Sequence, residues 1–197
     1  MNLPSSFISF FSGKPSRKSR LLTAVAGAVL ACVLAAIPHA DAALMEVNDQ
    51  LSGVDKQFLM TAAQTGNTEI VASKTASGKA SSEDVKTFAA EVLADHSKVA
   101  DQLKKLASSK GVNVPDEPSM KQQAVIARLN VLDAKKFDRE FTAEIGVSAH
   151  KEAVALFRKA VMNAKDADVK AFAQQSLPAL EHHLQMAQDL KAKLDRQ

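Results

Sequence analysis

The sequence predicts an all-α protein: a four-helix bundle of two helical hairpins, with a short extra helix in the crossover between them. Four long stretches place apolar residues at spacings of three and four, the spacing of a buried helix face. The composition agrees, because 46% of the residues are hydrophobic while Gly occurs 7 times and Trp and Tyr do not occur. An internal repeat indicates that the two hairpins are related.

The first 42 residues have the layout of a secretory signal peptide. A basic stretch at Lys14–Arg20 precedes an apolar run at Leu21–Ile37, and Ala40-Asp41-Ala42 has the small residues of a cleavage site. We therefore expect cleavage after Ala42 and a periplasmic or otherwise exported protein.

Two alternatives stay open for this segment. The apolar run is at the lower limit for a membrane span and could persist as an uncleaved anchor, or a loose lipidation motif could anchor the chain through Cys32. With cleavage, residues 1–42 are the signal peptide, residues 43–53 a leader and residues 54–195 the bundle. The mature chain is then not expected to span a membrane.

The charge balance gives no reason to expect a nucleic-acid partner. The chain has a net charge of +3, but the first 42 residues hold four basic residues and one acidic residue. The rest keeps 21 of the 25 basic residues and 21 of the 22 acidic ones, so it is formally neutral. Protein partners and oligomeric state are not indicated by the sequence.

Each predicted helix begins after a capping residue. The long helices are expected from Ser52 or Asp55 to about Ser77, from Ser81 or Ser82 to about Lys110, from about Ala134 to Asn163, and from Asp166–Asp168 onward. A shorter helix at Ser119–Leu132 lies in the connection between the hairpins. Pro178 predicts a kink in the last helix.

The internal repeat relates the second and fourth helices. Asp84–Ala89 matches Asp168–Ala173 in five of six positions, which suggests a duplicated hairpin. Short links within each hairpin favour antiparallel neighbours, and the long connection joins the two halves. Two hairpins with one long crossover are the ferritin-like pattern.

Each long helix carries one polar residue near the middle of its apolar face. These residues are Glu69, His96, His150 and His183. If they face one axis, they form a cluster of three imidazoles and one carboxylate, which suits Zn, Fe, Mn or Cu. A metal site made of these four residues is the first hypothesis.

The same residues also support a metal-free interpretation. A buried carboxylate beside protonated histidines is a stable arrangement, so the layer could be a hydrogen-bond network inside a non-enzymatic envelope protein for stress or assembly. The sequence does not decide whether the protein is an enzyme. Gly66 has two interpretations, a close helix contact or room beside Glu69.

The pattern around the histidines argues against a di-iron carboxylate site. That site needs Glu-x-x-His on two helices, but Leu93, Val147 and Leu180 stand three residues before the histidines. Of the neighbouring polar residues, we expect His182 to be more exposed. Asp95 should lie on the flank, as a partner of a histidine or in solvent.

Several stretches together resemble one bacterial family of unknown function, exported and often labelled putative outer-membrane protein, with a ferritin-like fold. They include Phe58-Leu59…Gly66…Glu69, Val85-Lys86…Asp95-His96, Phe137-Asp138…Phe141…His150 and Leu177-Pro178…His183-Leu184. The resemblance covers about residues 54–190 and implies a bundle with the Glu and His positions inside, without an established activity. Ala149 departs from the acidic residue that the family often has before the third-helix histidine.

Overall fold

The structure, a computed structural model, describes residues 51–197. The predictions for the signal peptide and most of the leader fall outside these residues. The described helices are α1 (Gly53–Lys79), α2 (Glu83–Ser109), α3 (Met120–Asn130), α4 (Ala134–Phe141), α5 (His150–Asn163) and α6 (Ala167–Leu194). A π-helical segment, Thr142–Ala149, joins α4 to α5, so the three form one continuous helix.

The described residues form the predicted helical bundle. The helices α1 and α2 pair closely, α5 pairs with α6, and the crossover between the hairpins contains α3. Ser52 caps α1, Ser119 opens α3 with a reciprocal capping box, and Asp166 caps α6. Gly111 follows α2 with φ +67°, the left-handed conformation that favours glycine at this position. None of the helices within residues 51–197 has both the length and the apolarity to cross a bilayer.

Two predicted details need correction. Gly78, the glycine expected to end the first helix after Ser77, lies inside α1, which ends at Lys79. Neither Ser81 nor Ser82 caps α2 through its side chain; instead both backbone amides donate to the carboxylate of Asp138. The helix α6 continues through Pro178, and its predicted kink stays a prediction.

A crossed pair of buried aspartates ties the two hairpins together. Asp138 in α4 accepts the backbone N–H groups of Ser81 and Ser82, which lead into α2. Asp55 in α1 accepts those of Lys165 and Asp166, which lead into α6. In both cases a carboxylate from the first helix of one hairpin accepts backbone N–H groups that would otherwise be unpaired at the start of the second helix of the other hairpin.

The π segment changes which residues of the third long helix face the core. A π turn holds more residues than an α turn and shifts the buried face. The spacing of Ala143 and Val147 before His150 predicts that both lie on the buried face, with Ile145 beside them. Both are only partly buried, whereas Ile145 is buried as expected and Gly146 is buried as well. The prediction was wrong here because the spacing rule assumed a regular α-helix.

Two glycines allow a matched test of packing. A Cβ on Gly66 would meet nothing within 4 Å, so Gly66→Ala should raise the free energy of unfolding by about 1 kcal/mol through helix propensity. A Cβ on Gly146 would lie 3.0 Å from the Ala187 Cβ and 3.4 Å from Phe88 Cε1. Gly146→Ala should therefore lower the free energy of unfolding by about 1–3 kcal/mol. Urea unfolding measures both, and shifts of the same sign would contradict this packing.

Candidate metal centre

The four predicted polar residues form one layer across the bundle. The exposed fractions of Glu69, His96, His150 and His183 are 1%, 4%, 0% and 1%. The layer separates two apolar clusters, one containing Phe58 and Phe157 and the other Phe88 and Phe141. Side chains so deeply buried need polar partners, because an unpaired buried polar group is costly.

The three imidazoles converge. One ring nitrogen from each of His96, His150 and His183 lies within 4.8 Å of one from each of the other two. The ring centroids are 5.2–5.5 Å apart. The His96 Nε2 lies 3.2 Å from the His183 Nδ1.

Glu69 lies behind His96 and holds it by its other nitrogen. Its Oε2 is 2.8 Å from the His96 Nδ1, while its Oε1 is 3.5 Å from the His150 Nδ1 and has no hydrogen-bond partner within residues 51–197. A carboxylate accepts, so the His96 Nδ1 carries a proton. Glu69 is therefore placed to orient His96, while the His96 Nε2 faces His183.

The π segment positions His150. The His150 Nδ1 lies 2.9 Å from the carbonyl oxygen of Ile145, five residues earlier and inside the π segment. A carbonyl only accepts, so Nδ1 is the protonated nitrogen and Nε2 is left without a partner in the described part of the chain. π-helical segments often occur at functional sites.

The outer nitrogen of His183 faces the edge of the bundle. This atom, Nε2, lies 3.4 Å from Asp95 Oδ2, a carboxylate that is 37% exposed. Asp95 is thus a neighbour of His183 rather than a purely solvated side chain. The His182 side chain is 63% exposed, as predicted.

The charges in the layer are coupled. Burial opposes ionisation of Glu69, but nearby His150 and His96 bring its pKa below the usual value. Burial would lower the pKa of His96, but the Glu69 carboxylate outweighs it and the pKa is raised. Burial and the charges of His96 and His150 lower the pKa of His183 to about 4. The metal-free layer therefore pairs a Glu69 carboxylate with a His96 imidazolium and a neutral His183.

A small cavity lies beside Glu69 and His96. It has a volume of about 20 Å³, and Gly66 lines it together with apolar side chains. This space fits about one water molecule. Since a Cβ on Gly66 would meet nothing within 4 Å, the glycine leaves room near Glu69 rather than allowing a close helix contact.

The pKa shifts predict a stability maximum near pH 6.5 for the protein in a chelator. Between pH 6.5 and 4 the unfolded state binds more protons at His183 than the folded state does. The free energy of unfolding therefore decreases as the pH is lowered from 6.5 to 4, by about 1–2 kcal/mol after solvent screening. The raised pKa of His96 has the opposite sign: its contribution is complete below pH 6.5 and is lost as pH rises through the folded-state pKa. Urea unfolding at several pH values should show a shallower acid limb for His183→Gln, and an unchanged limb would contradict the assignment.

Comparison with known proteins bears on the family and the fold of the chain. A model for the family described as Domain of unknown function (DUF4142) matches residues 40–190. The chain belongs to this family. The family description assigns no function to this DUF4142 chain, and no curated protein matches it.

Two solved structures share the fold of the DUF4142 chain. A DUF305 fragment from Deinococcus radiodurans has 15% sequence identity and a TM-score of 0.63, covering 75% of this chain and 99% of its own. A conserved hypothetical protein from Mycobacterium tuberculosis has 19% identity and a TM-score of 0.56, covering 71% of this chain and 91% of its own. At these identities the similarity establishes the helical bundle alone.

Proposed function

We propose that the bundle binds one transition-metal ion, such as Zn, Fe, Mn or Cu, through His96, His150 and His183, with Glu69 orienting His96. The observation that carries this proposal is the convergence of three buried imidazoles whose other nitrogens each face an oxygen acceptor. Metal-binding histidines characteristically donate their second N–H to a carboxylate or a backbone carbonyl. Here the acceptors are Glu69 for His96 and the carbonyl of Ile145 for His150, while Asp95 lies 3.4 Å from the His183 Nε2 without a hydrogen bond.

The distances suit a small ion. Two imidazole nitrogens bound to one tetrahedral ion at about 2.0–2.1 Å lie about 3.3 Å apart. The His96 Nε2 and His183 Nδ1 are already 3.2 Å apart, so little movement is needed to bind both. Three imidazoles leave a fourth position on the ion for water or a small ligand.

We also place this activity outside the cytoplasm. The support is the signal-peptide layout of residues 1–42. Fractionation with mass analysis of the N-terminus tests it: a periplasmic chain beginning at Ala43 is expected. A membrane-bound chain that retains Cys32 would favour the anchored alternative.

A metal-free hydrogen-bond layer in an envelope stress or assembly protein is the second candidate. It is favoured by two hydrogen-bonding contacts that form without an ion, Glu69 to His96 at 2.8 Å and His96 to His183 at 3.2 Å. In this case the outer faces of the helices would carry the function.

Metal analysis of refolded protein separates the two candidates. The wild type should retain one equivalent of metal at physiological levels, while His96→Ala and His183→Ala should retain none. His182→Ala removes an exposed neighbour and should keep the full equivalent at equilibrium. A wild type without metal under these conditions would overturn the proposed site in favour of the second candidate.

A further inference from the structure

A second cluster of ligand atoms lies at the outer edge of His183. Glu91 and Asp95, one turn apart on α2, each place a carboxylate oxygen within 4.8 Å of a His183 ring nitrogen and of one another. His182 Nε2 lies 3.4 Å from Glu91 Oε1. Both carboxylates are about two-fifths exposed, so this cluster faces solvent while the three-imidazole layer does not.

A buried, unpartnered nitrogen makes this cluster more than a pair of surface carboxylates. The His183 Nε2 faces Asp95 Oδ2 at 3.4 Å, is buried, and makes no hydrogen bond to any residue within 51–197. The other polar contact of Asp95 is Lys98, whose Nζ lies 3.1 Å from Oδ1. Lys98 is 73% exposed, so its ammonium can move into solvent at little cost when a cation binds.

We propose that Glu91, Asp95 and the His183 Nε2 form a capture site that takes a divalent first-row metal ion from solvent and passes it to the three-imidazole site. This inference rests on the proposed metal-binding function. One imidazole and two carboxylates suit such an ion, and the negative charge attracts it. His183 is common to both sites because its Nδ1 faces inward, 3.2 Å from His96, and its Nε2 faces outward.

The proton positions make the two sites alternate. With an ion on Nε2, the neutral His183 ring carries its proton on Nδ1. With an ion on Nδ1, His183 carries its proton on Nε2, facing Asp95. His183 therefore holds one ion at a time, and a shift of one proton across its ring accompanies the transfer.

The test uses Co²⁺ as the probe and Glu91→Gln as the variant, because Glu91 makes no contact with the inner site. Stopped-flow absorbance should show the association and dissociation rate constants of Co²⁺ both falling about tenfold, with Kd unchanged within about twofold. Asp101→Asn, an exposed carboxylate on the same helix, should change neither rate. An unchanged association rate, or a slower association with unchanged dissociation, would overturn the capture site.

A second variant separates this inference from the proposed function. His150→Ala removes the inner site only, so it should still bind Co²⁺ weakly, with the faint visible spectrum of a six-coordinate ion. Adding Glu91→Gln should abolish that spectrum. If the inner site never binds metal, the wild type will give the same faint spectrum as His150→Ala. If the capture site is wrong, His150→Ala will bind no Co²⁺ although the wild type does.

Discussion

Glu69→Ala is expected to lower the free energy of unfolding of the metal-free protein by about 3–5 kcal/mol, because it leaves a buried His96 imidazolium without its counter-ion. The residue is 1% exposed, so water cannot replace the lost oxygen without opening the bundle. Glu69→Gln keeps a carbonyl acceptor for the His96 Nδ1–H and should lose about 1–2 kcal/mol. Urea unfolding at pH 6.5 in a chelator measures both changes.

Glu152→Ala is the matched control, because it removes an exposed carboxylate from the same bundle and should change stability by no more than about 0.5 kcal/mol. The pKa of His96 should also fall in Glu69→Ala, which NMR titration detects. In the metal-binding assay, loss of an orienting carboxylate should weaken binding about 10–100-fold. If Glu69→Ala is as stable as Glu152→Ala, the buried ion pair described for this layer is wrong.

Asp138→Ala should have a similarly large effect, a loss of about 3–5 kcal/mol in the free energy of unfolding. The carboxylate is 4% exposed and accepts the amides of Ser81 and Ser82 as well as the Ser81 hydroxyl at 2.5 Å. Removal leaves two backbone donors at the start of α2 without their charged acceptor, and hydrogen bonds to charged groups contribute about 1.5–3 kcal/mol each.

The crossed arrangement makes a further comparison available. Asp55→Ala should cost about as much as Asp138→Ala, because Asp55 accepts the corresponding amides before α6. Asp133→Ala removes an exposed N-cap from α4 and should cost about 1 kcal/mol. Equal losses in Asp133→Ala and Asp138→Ala, measured by urea unfolding, would show that Asp138 acts as an ordinary cap and does not tie the hairpins together.

The helices and the buried layer could be predicted because burial is periodic along each helix. His96 lies on an apolar face whose spacing stays regular through α2, and the structure buries it as expected. The crossed aspartates also have a sequence signal: Asp55 and Asp138 are each followed three residues later by a phenylalanine, at Phe58 and Phe141.

Other features depend on how the helices pack and have no local signature. The π segment places Gly146 in the core, where it lies against Ala187 of α6. The offset of α2 and α6 along their axes, which is their relative height, determines which side chains meet: Asp95 lies next to His183, and Glu91 lies next to His182. Short-range spacing does not fix that height, so the outer cluster could not be predicted from the sequence.

X-ray absorption spectroscopy of the metal-loaded protein tests the central claim most directly. With one equivalent of Zn²⁺ bound, the spectrum should show nitrogen ligands at about 2.0–2.1 Å with the scattering pattern of three imidazoles. His150→Ala should abolish the three-imidazole pattern, and His182→Ala should leave it unchanged. A Zn²⁺ shell made of oxygen ligands, or one unaffected by His150→Ala, would contradict a metal centre in the buried layer.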